Sequence, residues 1–195
     1  TDRTADIIQF FEKTDDRIRV IQGGELPDGW VGKNWACEQL YQEASGDFLL
    51  FIDADTILSP EAVSAAVYKS KKGRVDLLSA IPSRMTGCIL DRLIFPFIDW
   101  IIFCCIPFKV ASETRAPFLS ASFGQFMFFR RGAYELVGGH RGTRGNPIDD
   151  FSLGRMIKRL DLRWMLFDGI GCVEVLPVGS NGDVLKNISR SLFPA

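Results

Sequence analysis

Residues 47–56 read D-F-L-L-F-I-D-A-D-T, and this stretch decides how the rest of the chain is interpreted. Phe48 to Ile52 are five consecutive apolar residues, the pattern of a short strand buried on both faces. The run ends at Asp53 and Asp55, two carboxylates separated by one alanine. Open α/β sheets bind ligands beyond the carboxyl ends of their strands. The sequence therefore predicts that both acidic side chains lie at a binding site.

The spacing of these carboxylates favours a divalent metal. Two carboxylates this close repel each other unless a cation lies between them and a partner. Oxygen ligands suit Mg²⁺ or Mn²⁺, which commonly share their coordination with substrate phosphates. We therefore predict that Asp53 and Asp55 hold Mg²⁺ or Mn²⁺ together with a diphosphate. The alternative is a solvated acidic loop before a helix that Ser59 caps and Pro60 begins.

The composition is that of an ordinary globular domain. The chain has 195 residues, of which 47% are hydrophobic and 24% charged. A net charge of −1 offers no broad basic face, which argues against a nucleic-acid partner. Five cysteines without C-x-x-C spacing predict neither a disulfide framework nor a zinc site, and they favour a reducing compartment. A single histidine, His140, argues against a histidine metal cage or a Ser-His-Asp triad.

Strand and helix patterns alternate along the chain, which predicts an α/β fold with a mostly parallel central sheet flanked by helices. Helices are predicted at 5–13, 33–44, 60–72 and 132–137 and from Asp149 onward. Strands are predicted at 17–21, 48–52, 75–81, 120–130, 162–167 and 172–176, and residues 180–195 form a polar tail. The first helix offers four apolar residues for burial, namely Ile7, Ile8, Phe10 and Phe11.

Residues 88–108 read C-I-L-D-R-L-I-F-P-F-I-D-W-I-I-F-C-C-I-P-F, long and apolar enough to raise the question of a membrane span. Asp91, Arg92 and Asp99 argue against a simple span. The pattern fits a segment that lies in the bilayer interface, with Trp100 and the phenylalanines as anchors. A buried helix or a covered loop of a soluble domain is the alternative that the sequence leaves open.

Asp149 and Asp150 form a second acidic pair, at the start of a predicted helix. Carboxylates in this position can simply cap the helix and offset its dipole. If Asp150 instead faces the crevice of Asp53 and Asp55, it can deprotonate a hydroxyl group of an acceptor. The glycine-rich loop at 140–146 would admit that acceptor, and we expect this loop to move.

Gly32 and Lys33 are predicted to face an anion. A helix start carries free backbone N–H groups, and the lysine adds an ammonium. The alternative is an exposed lysine after a turn, but the stretch G-W-V-G-K-N-W-A at 29–36 favours the ligand-facing role. Gly124, within the predicted strand 120–130, is expected to mark a close approach of backbone or ligand.

Four segments, taken in order, resemble the family 2 glycosyltransferases of the GT-A fold: T-D-R-T-A at 1–5, G-W-V-G-K-N-W-A at 29–36, F-L-L-F-I-D-A-D at 48–55 and I-D-D-F-S-L at 148–153. The segment G-Q-F-M-F-F-R-R-G-A-Y-E-L-V-G-G-H at 124–140 is similar to the strand and helix before the family's acid/base motif. The resemblance covers nearly the whole chain. Within the family it is greatest to membrane-associated enzymes that act on hopanoid or carotenoid lipids.

The resemblance implies a role for each acidic residue. Asp53 would lie near the ribose or the metal, and Asp55 would bind the metal on the diphosphate of a nucleotide sugar. Asp150 would be the general base of an inverting displacement, with Asp149 beside it. The family usually has Glu-Asp at this place, so Asp-Asp is a mild departure.

The resemblance also implies roles for two further residues, and one motif found in part of the family is absent. Gln125 and His140 would lie near the acceptor or the donor sugar. The Q-x-x-R-W motif of processive polysaccharide synthases is absent, which indicates transfer of a single sugar. The family begins with a strand and an acidic loop of which T-D-R-T-A resembles the last part. Residues 1–195 are therefore expected to be one catalytic domain that lacks its first strand, with transmembrane helices expected after residue 195.

The predicted function is metal-dependent transfer of one sugar from a nucleotide-diphosphate donor, expected to be a UDP-sugar, to a hydroxyl or carboxylate group of a lipid-like acceptor. The expected location is the cytoplasmic face of a membrane. Two other functions stay open. One is a nucleotidyltransferase, which also uses carboxylates and Mg²⁺ on an α/β sheet. The other is a non-catalytic module that binds a membrane surface through residues 88–108.

Overall fold

The computed structural model describes residues 3–177 and 180–192. Its strands are β1 (Phe48–Phe51), β2 (Thr56–Leu58), β3 (Leu77–Ile81), β4 (Ser83–Arg84), β5 (Met127–Arg130), β6 (Trp164–Asp168) and β7 (Val173–Val175). Its helices are α1 (Thr4–Thr14), α2 (Gly32–Glu43), α3 (Ala62–Gly73), α4 (Ile89–Cys105), α5 (Phe108–Glu113), α6 (Arg131–Leu136), α7 (Gly139–Gly142), α8 (Asp149–Arg159) and α9 (Asn181–Leu192), with a 3₁₀ turn at Pro117–Leu119.

Two mixed sheets organise the chain. The larger has the strand order β1-β5-β3-β6, and the smaller has the order β2-β7-β4. In the larger sheet β3 and β6 pair in parallel, whereas β5 runs antiparallel to both of its neighbours. Strands β1, β3 and β6 therefore point the same way, and β5 runs between them in the opposite direction. The predicted α/β fold is confirmed. The larger sheet is mixed because of this one reversed strand, and the smaller sheet is mixed because β2 runs antiparallel to β7.

Strand β3 is the centre of the core, and all five of its residues are buried. Because successive side chains of a strand point to opposite faces, Leu77 and Leu78 enter different clusters. Leu77 packs in a cluster with Phe129, Tyr134, Leu153 and Trp164, and Leu78 packs with Phe126, Phe128 and Val173. Both faces of the sheet are thus covered, as expected of an α/β domain.

Strand β1 lies at the edge of the larger sheet. Within the described residues it pairs with β5 alone, in a register that sets Phe51 opposite Met127. Leu49 is 5% exposed, but Ile52 is 48% exposed. The prediction of a strand buried on both faces over 48–52 is therefore corrected to a four-residue edge strand with one fully buried residue.

Three other predicted segments differ from the helices and strands that the structure shows. Residues 17–21 form no strand, because a strand needs a hydrogen-bonded neighbour and Ile18 and Val20 are both 37% exposed. The strand predicted at 120–130 is confined to β5, because the backbone turns at Phe123, whose carbonyl accepts a hydrogen bond from the N–H of Phe126 (3.0 Å). The polar tail contains α9, an unexpected helix.

The helix predicted from Pro60 begins two residues later. Ser59 does not cap it, because the N-cap position falls on Glu61 and the Ser59 carbonyl accepts the N–H of Ala62 (3.1 Å).

Strand β2, which is only three residues long, was not predicted. Helix α1 forms as expected, but its four apolar residues are not buried within the described structure. They are 42–63% exposed.

Helix α4 presents two different faces. Asp91, Phe95 and Asp99, four residues apart, line a cavity beside β4. The opposite face carries an apolar stripe, which consists of Ile89, Leu93, Phe97 and Trp100, each 57–72% exposed. Among the residues that the structure describes, no helix has both the length and the apolar character needed to cross a membrane.

Candidate active site

The ammonium group of Lys33 joins three separate segments of the chain. Its Nζ lies 2.9 Å from Oδ1 of Asp53 and 3.8 Å from Oδ1 of Asp149. Lys33 is the second residue of α2, Asp53 follows β1, and Asp149 begins α8. Asp53 at the end of β1 and Asp149 at the start of α8 therefore share one cleft.

The backbone of Gly124 closely approaches this cleft. A Cβ atom at this position would lie 2.8 Å from Nζ of Lys33, 3.5 Å from Oδ2 of Asp53 and 3.6 Å from Oδ2 of Asp150. The glycine N–H donates a hydrogen bond to Oδ2 of Asp150 (3.0 Å). The predicted close approach at Gly124 is confirmed, although the residue lies in the turn before β5 and not inside a strand. A side chain here would push the lysine away from its carboxylates.

Asp150 is placed to accept a proton near neutral pH. Its two oxygens accept backbone N–H groups, from Gly124 and from Phe151 (2.8 Å). Burial raises the pKa of Asp150 to about 6, and the negative charge of Asp149 acts in the same direction. The backbone donors and Lys33 oppose this rise without cancelling it. A carboxyl group with such a pKa suits general acid–base chemistry.

Asp149 behaves differently from its neighbour. It is 3% exposed, and Nε2 of His140 lies 3.4 Å from its Oδ2. Burial alone would raise the pKa of Asp149, but His140 and Lys33 outweigh burial and lower the pKa below its usual value. Burial likewise works against the charge of Lys33, whereas Asp149, Asp53 and Asp150 raise its pKa by more. Two adjacent carboxyl groups thus have separate pKa values, a pattern typical of acid–base sites.

A tyrosine holds His140 in place. The hydroxyl of Tyr134 lies 2.7 Å from Nδ1 of His140 and accepts the backbone N–H of His140 (3.0 Å). Burial raises the pKa of Tyr134, so its hydroxyl keeps its proton and can donate it to Nδ1. In the tautomer that accepts this proton at Nδ1, Nε2 carries the ring proton and faces Oδ2 of Asp149. Gly139 permits this packing, because its φ is +53° and a Cβ there would lie 2.5 Å from the tyrosine ring.

Asn34 fastens the start of α2 to the glycine-rich loop. Its amide donates to the carbonyls of Thr143 (2.7 Å) and Asn146 (2.9 Å), and the N–H of Val31 donates to the carbonyl of Arg144 (2.7 Å). The loop at 140–146 begins within α7, and its backbone carbonyls bond to the start of α2; its expected motion stays a prediction. These bonds fix Lys33, the neighbour of Asn34, against α8.

The remaining predicted residues lie around this centre. Gly32 begins α2, and a Cβ there would meet nothing within 4 Å, so the space beside the helix start is open. Gln125 is half-buried in the same turn as Gly124. His140 is 1% exposed, so its ring faces protein and not the open cleft. Asp55 is exposed, and its carbonyl accepts the N–H of Leu176 (2.9 Å).

The acidic residues fit a metal that is shared with a substrate. Within residues 3–177 and 180–192 no three His, Cys, Asp or Glu side chains are grouped closely enough to form a metal cage. Asp53 and Asp55 supply two carboxylates, and Asp55 is exposed. Mg²⁺ is usually held by one or two carboxylates together with substrate phosphates. The donor set therefore suits a metal that arrives with a diphosphate.

Two functional contacts were missed at the level of sequence. Tyr134 has the pattern of a core aromatic on a short helix, and nothing in its neighbourhood indicates a partner for His140. Asn34 carried a weak signal, since asparagine is a poor helix former and here stands in the first turn of a helix beside Lys33.

The sequence profile of glycosyl transferase family 2 matches residues 1–136. The chain belongs to glycosyl transferase family 2. The matched part includes Lys33, Asp53, Asp55 and Gly124 and ends before α8, so the Asp149–Asp150 pair lies outside it. Family membership favours glycosyl transfer over both alternatives left open by the sequence.

Curated relatives have a common name. The 4,4'-diaponeurosporenoate glycosyltransferase of Staphylococcus haemolyticus (strain JCSC1435) is 26% identical over 175 residues, covering 89% of this chain and 45% of the relative. The protein of the same name from Staphylococcus aureus (strain MRSA252) is 26% identical over 172 residues, covering 87% of this chain and 44% of the relative. The chain thus spans about half the length of the curated relatives it matches.

Solved structures confirm the GT-A fold. The mannosyltransferase PcManGT from Pyrobaculum calidifontis, in complex with GDP-Man and Mn²⁺, superposes with a TM-score of 0.69 at 18% identity, covering 98% of this chain and 49% of that one. S. aureus TarS 1–349, in complex with UDP-GlcNAc, gives a TM-score of 0.59 at 16% identity, covering 94% of this chain and 49% of that one. At these identities the likeness shows the fold alone.

The difference in pKa between Asp149 and Asp150 can be measured directly. We expect the carboxyl group of Asp150 to titrate with a pKa of about 6. Asp149→Asn should lower the pKa of Asp150, because it removes the adjacent negative charge. Asp161→Asn, an exposed aspartate beyond the far end of α8, is the matched control and should leave the pKa unchanged. Carbon-13 NMR of the carboxyl groups measures all three proteins. A pKa of Asp150 near its usual value of about 4 in the unaltered protein would contradict the assignment.

Proposed function

We propose that this site transfers a single sugar from a nucleotide-diphosphate donor to a hydroxyl group of a lipid-like acceptor, with inversion at the anomeric carbon. One observation supports this most strongly. Lys33 gathers Asp53 at the end of β1 and Asp149 at the start of α8 into one cleft, in which Asp150 titrates near neutrality. Donor-binding and proton-accepting carboxylates are therefore within reach of one substrate.

The donor is proposed to bind between β1 and the start of α2. Asp55 and Asp53 would hold Mg²⁺ or Mn²⁺, and the free N–H groups at Gly32 would face the diphosphate, with Lys33 close to its charge. When bound, the metal neutralises negative charge on the leaving diphosphate. The solved complexes of PcManGT with GDP-Man and of TarS with UDP-GlcNAc support a nucleotide sugar as donor. We retain a UDP-sugar as the expected donor.

Asp150 is proposed as the general base. Its ionised carboxylate accepts the proton of the acceptor hydroxyl, and the hydroxyl oxygen forms the new bond to the anomeric carbon. The bond from that carbon to the diphosphate oxygen breaks, and its electron pair leaves with the nucleoside diphosphate. Asp149 stays ionised against Lys33 and His140, and its charge helps to keep the pKa of Asp150 near neutral. Gln125 is proposed to contact the sugar from the adjoining turn.

The acceptor is proposed to be lipid-like and to be taken from a membrane surface at the cytoplasmic face. The curated relatives are named for the carotenoid acid 4,4'-diaponeurosporenoate, which supports an apolar acceptor and leaves a carboxylate as a second kind of acceptor group. The apolar stripe of α4 adds physical support, because Phe97 and Trp100 stack on each other on an exposed face (ring centroids 5.9 Å apart). Exposed aromatic and aliphatic side chains of this kind enter the headgroup region.

We expect donor binding and proton transfer to be impaired by different mutations. Asp55→Ala should abolish Mn²⁺-dependent binding of UDP in titration calorimetry, whereas Asp16→Ala, an exposed aspartate after α1, should not. Asp150→Asn should bind UDP normally but release nucleotide from UDP-GlcNAc or GDP-mannose about 10²–10⁴-fold more slowly, with a hydroxyl-bearing amphiphile such as octyl glucoside as acceptor. Because the base must be ionised, turnover by the unaltered protein should rise as the pH increases through about 6. Normal turnover by Asp150→Asn would refute the assignment of the base.

The apolar stripe can be tested on vesicles of phosphatidylcholine and phosphatidylglycerol. Replacing both Leu93 and Phe97 by serine should lower the partition coefficient at least about tenfold, because burial of each side chain contributes about 1.5–3 kcal/mol. Replacing Leu136 and Leu160 by serine is the matched control, since these leucines are 69% and 51% exposed, at the end of α6 and directly after α8. Flotation of each protein with vesicles measures the change. Equal flotation of the two variants would rule out the stripe as the contact surface.

A further inference from the structure

A second cavity, apart from the Lys33 cleft, lies between β4 and α4. Its volume is about 470 Å³. We refer to it as the α4 cavity. It is lined by Arg84, Met85 and Thr86 from the β4 side and by Asp91, Phe95, Pro96, Asp99 and Trp100 from α4.

Two buried polar atoms at this cavity lack hydrogen-bond partners within the described structure. They are Nε of Arg84 and Oδ1 of Asp91. Asp91 is 2% exposed, and its other oxygen accepts the N–H of Gly87 (3.1 Å). The Arg84 guanidinium lies over the ring of Phe95 (4.6 Å to the centroid). Because buried polar atoms are nearly always hydrogen-bonded, these two atoms mark a place where a ligand or its water substitute binds.

The charges around the cavity face each other without touching. Burial lowers the pKa of Arg84, and the carboxylates of Asp99, Asp55 and Asp91 oppose this from a distance. No carboxylate of the described residues lies within the 4.0 Å ion-pair distance of the Arg84 guanidinium. A hydrogen-bond donor and two acceptors are thus held apart across an open space, which a bridging molecule can fill.

The smaller sheet places this cavity beside the active site. Arg84 and Thr56 both oppose Val175, from the two sides of β7. Two strand spacings separate them, roughly 10 Å. Thr56 directly follows Asp55, the proposed metal ligand. At its other side the cavity reaches Trp100, which also belongs to the apolar stripe of α4. The α4 cavity therefore lies between the active site and the proposed membrane surface.

We propose that the α4 cavity binds an uncharged, hydroxyl-bearing part of the acceptor, next to the group that receives the sugar; this rests on the proposed function and specifies its acceptor. A hydroxyl both donates and accepts hydrogen bonds, so it satisfies Asp91 and Arg84 together. A carboxylate or phosphate would pair with Arg84 but would face Asp91 and Asp99. An ammonium would suit the aspartates but would meet Arg84. Phe95 and Trp100 supply apolar walls for the carbon skeleton.

The test compares two amphiphiles with the same chain length. Octyl glucoside, titrated below its micelle concentration into the whole chain, should bind at one site, and octanoate should bind at least about tenfold more weakly. Arg84→Met should weaken octyl glucoside binding by about tenfold or more, as expected for loss of a hydrogen bond from a charged group. Asp99→Asn, which keeps the side-chain shape, should also weaken it. Arg92→Met, at an exposed arginine of the same helix, is the matched control and should change the affinity less than about twofold.

A parallel titration with UDP and Mn²⁺ separates this proposal from the proposed function. Asp55→Ala should abolish UDP binding and leave the affinity for octyl glucoside within about twofold. If UDP does not bind the unaltered protein, the donor proposal fails, while the octyl glucoside series still decides the cavity. The cavity proposal is overturned if octyl glucoside does not bind, or if octanoate binds equally well. It is also overturned if Asp99→Asn and a folded Arg84→Met, checked by circular dichroism, both bind octyl glucoside as the unaltered protein does.

Discussion

The interaction between the Lys33 ammonium and the surrounding carboxylates is the constraint on which the site depends. Asp53 and the Asp149–Asp150 pair would repel one another if they met without a cation, and burial would make their charges costlier still. With Lys33 among them, Asp53 and Asp149 are each within 4 Å of a positive charge, and burial raises the pKa of Asp150 to about 6. Lys33 therefore assembles the cleft and, together with His140, keeps the pKa of Asp149 low, whereas burial and the charge of Asp149 raise the pKa of Asp150. Lys33 also ties helix α2 to the end of β1 and to the start of α8.

The rest of the architecture keeps Lys33 in position. Asn34 fastens the start of α2 to the backbone before α8, and Gly124 leaves room for the ammonium where a side chain would not fit. Tyr134 orients His140 against Asp149. These supports come from two parts of the chain that are far apart in sequence, Asn34 and residues 124–140. The smaller sheet additionally places the α4 cavity beside Asp55, so that the proposed donor, base and acceptor sites are adjacent.

Local patterns predicted part of this structure well. The apolar run of β3, the acidic residues after β1 and the start of α8 are encoded within a few neighbouring residues, and each is where the sequence indicated. Features that depend on distant partners were not predictable in this way. Residues 17–21 have the composition of a strand but pair with no strand among the described residues, and the turn between Phe123 and Phe126 confines the predicted strand at 120–130 to β5. The contacts of Asn34 and Tyr134, and the cavity between Arg84 and Asp91, join residues that no short pattern connects.

A double-mutant cycle between Lys33 and Asp149 tests the central claim most directly. Urea unfolding would give the free energy of unfolding for the unaltered protein, Lys33→Met, Asp149→Asn and the double variant. Lys33→Met leaves the buried carboxylate of Asp149 without the ammonium, and Asp149→Asn removes one of the carboxylates that face Lys33. The two losses should therefore exceed the loss in the double variant by more than about 0.5 kcal/mol. Strictly additive losses would mean that the lysine and the carboxylate act independently, which would contradict a cleft assembled around the Lys33 ammonium.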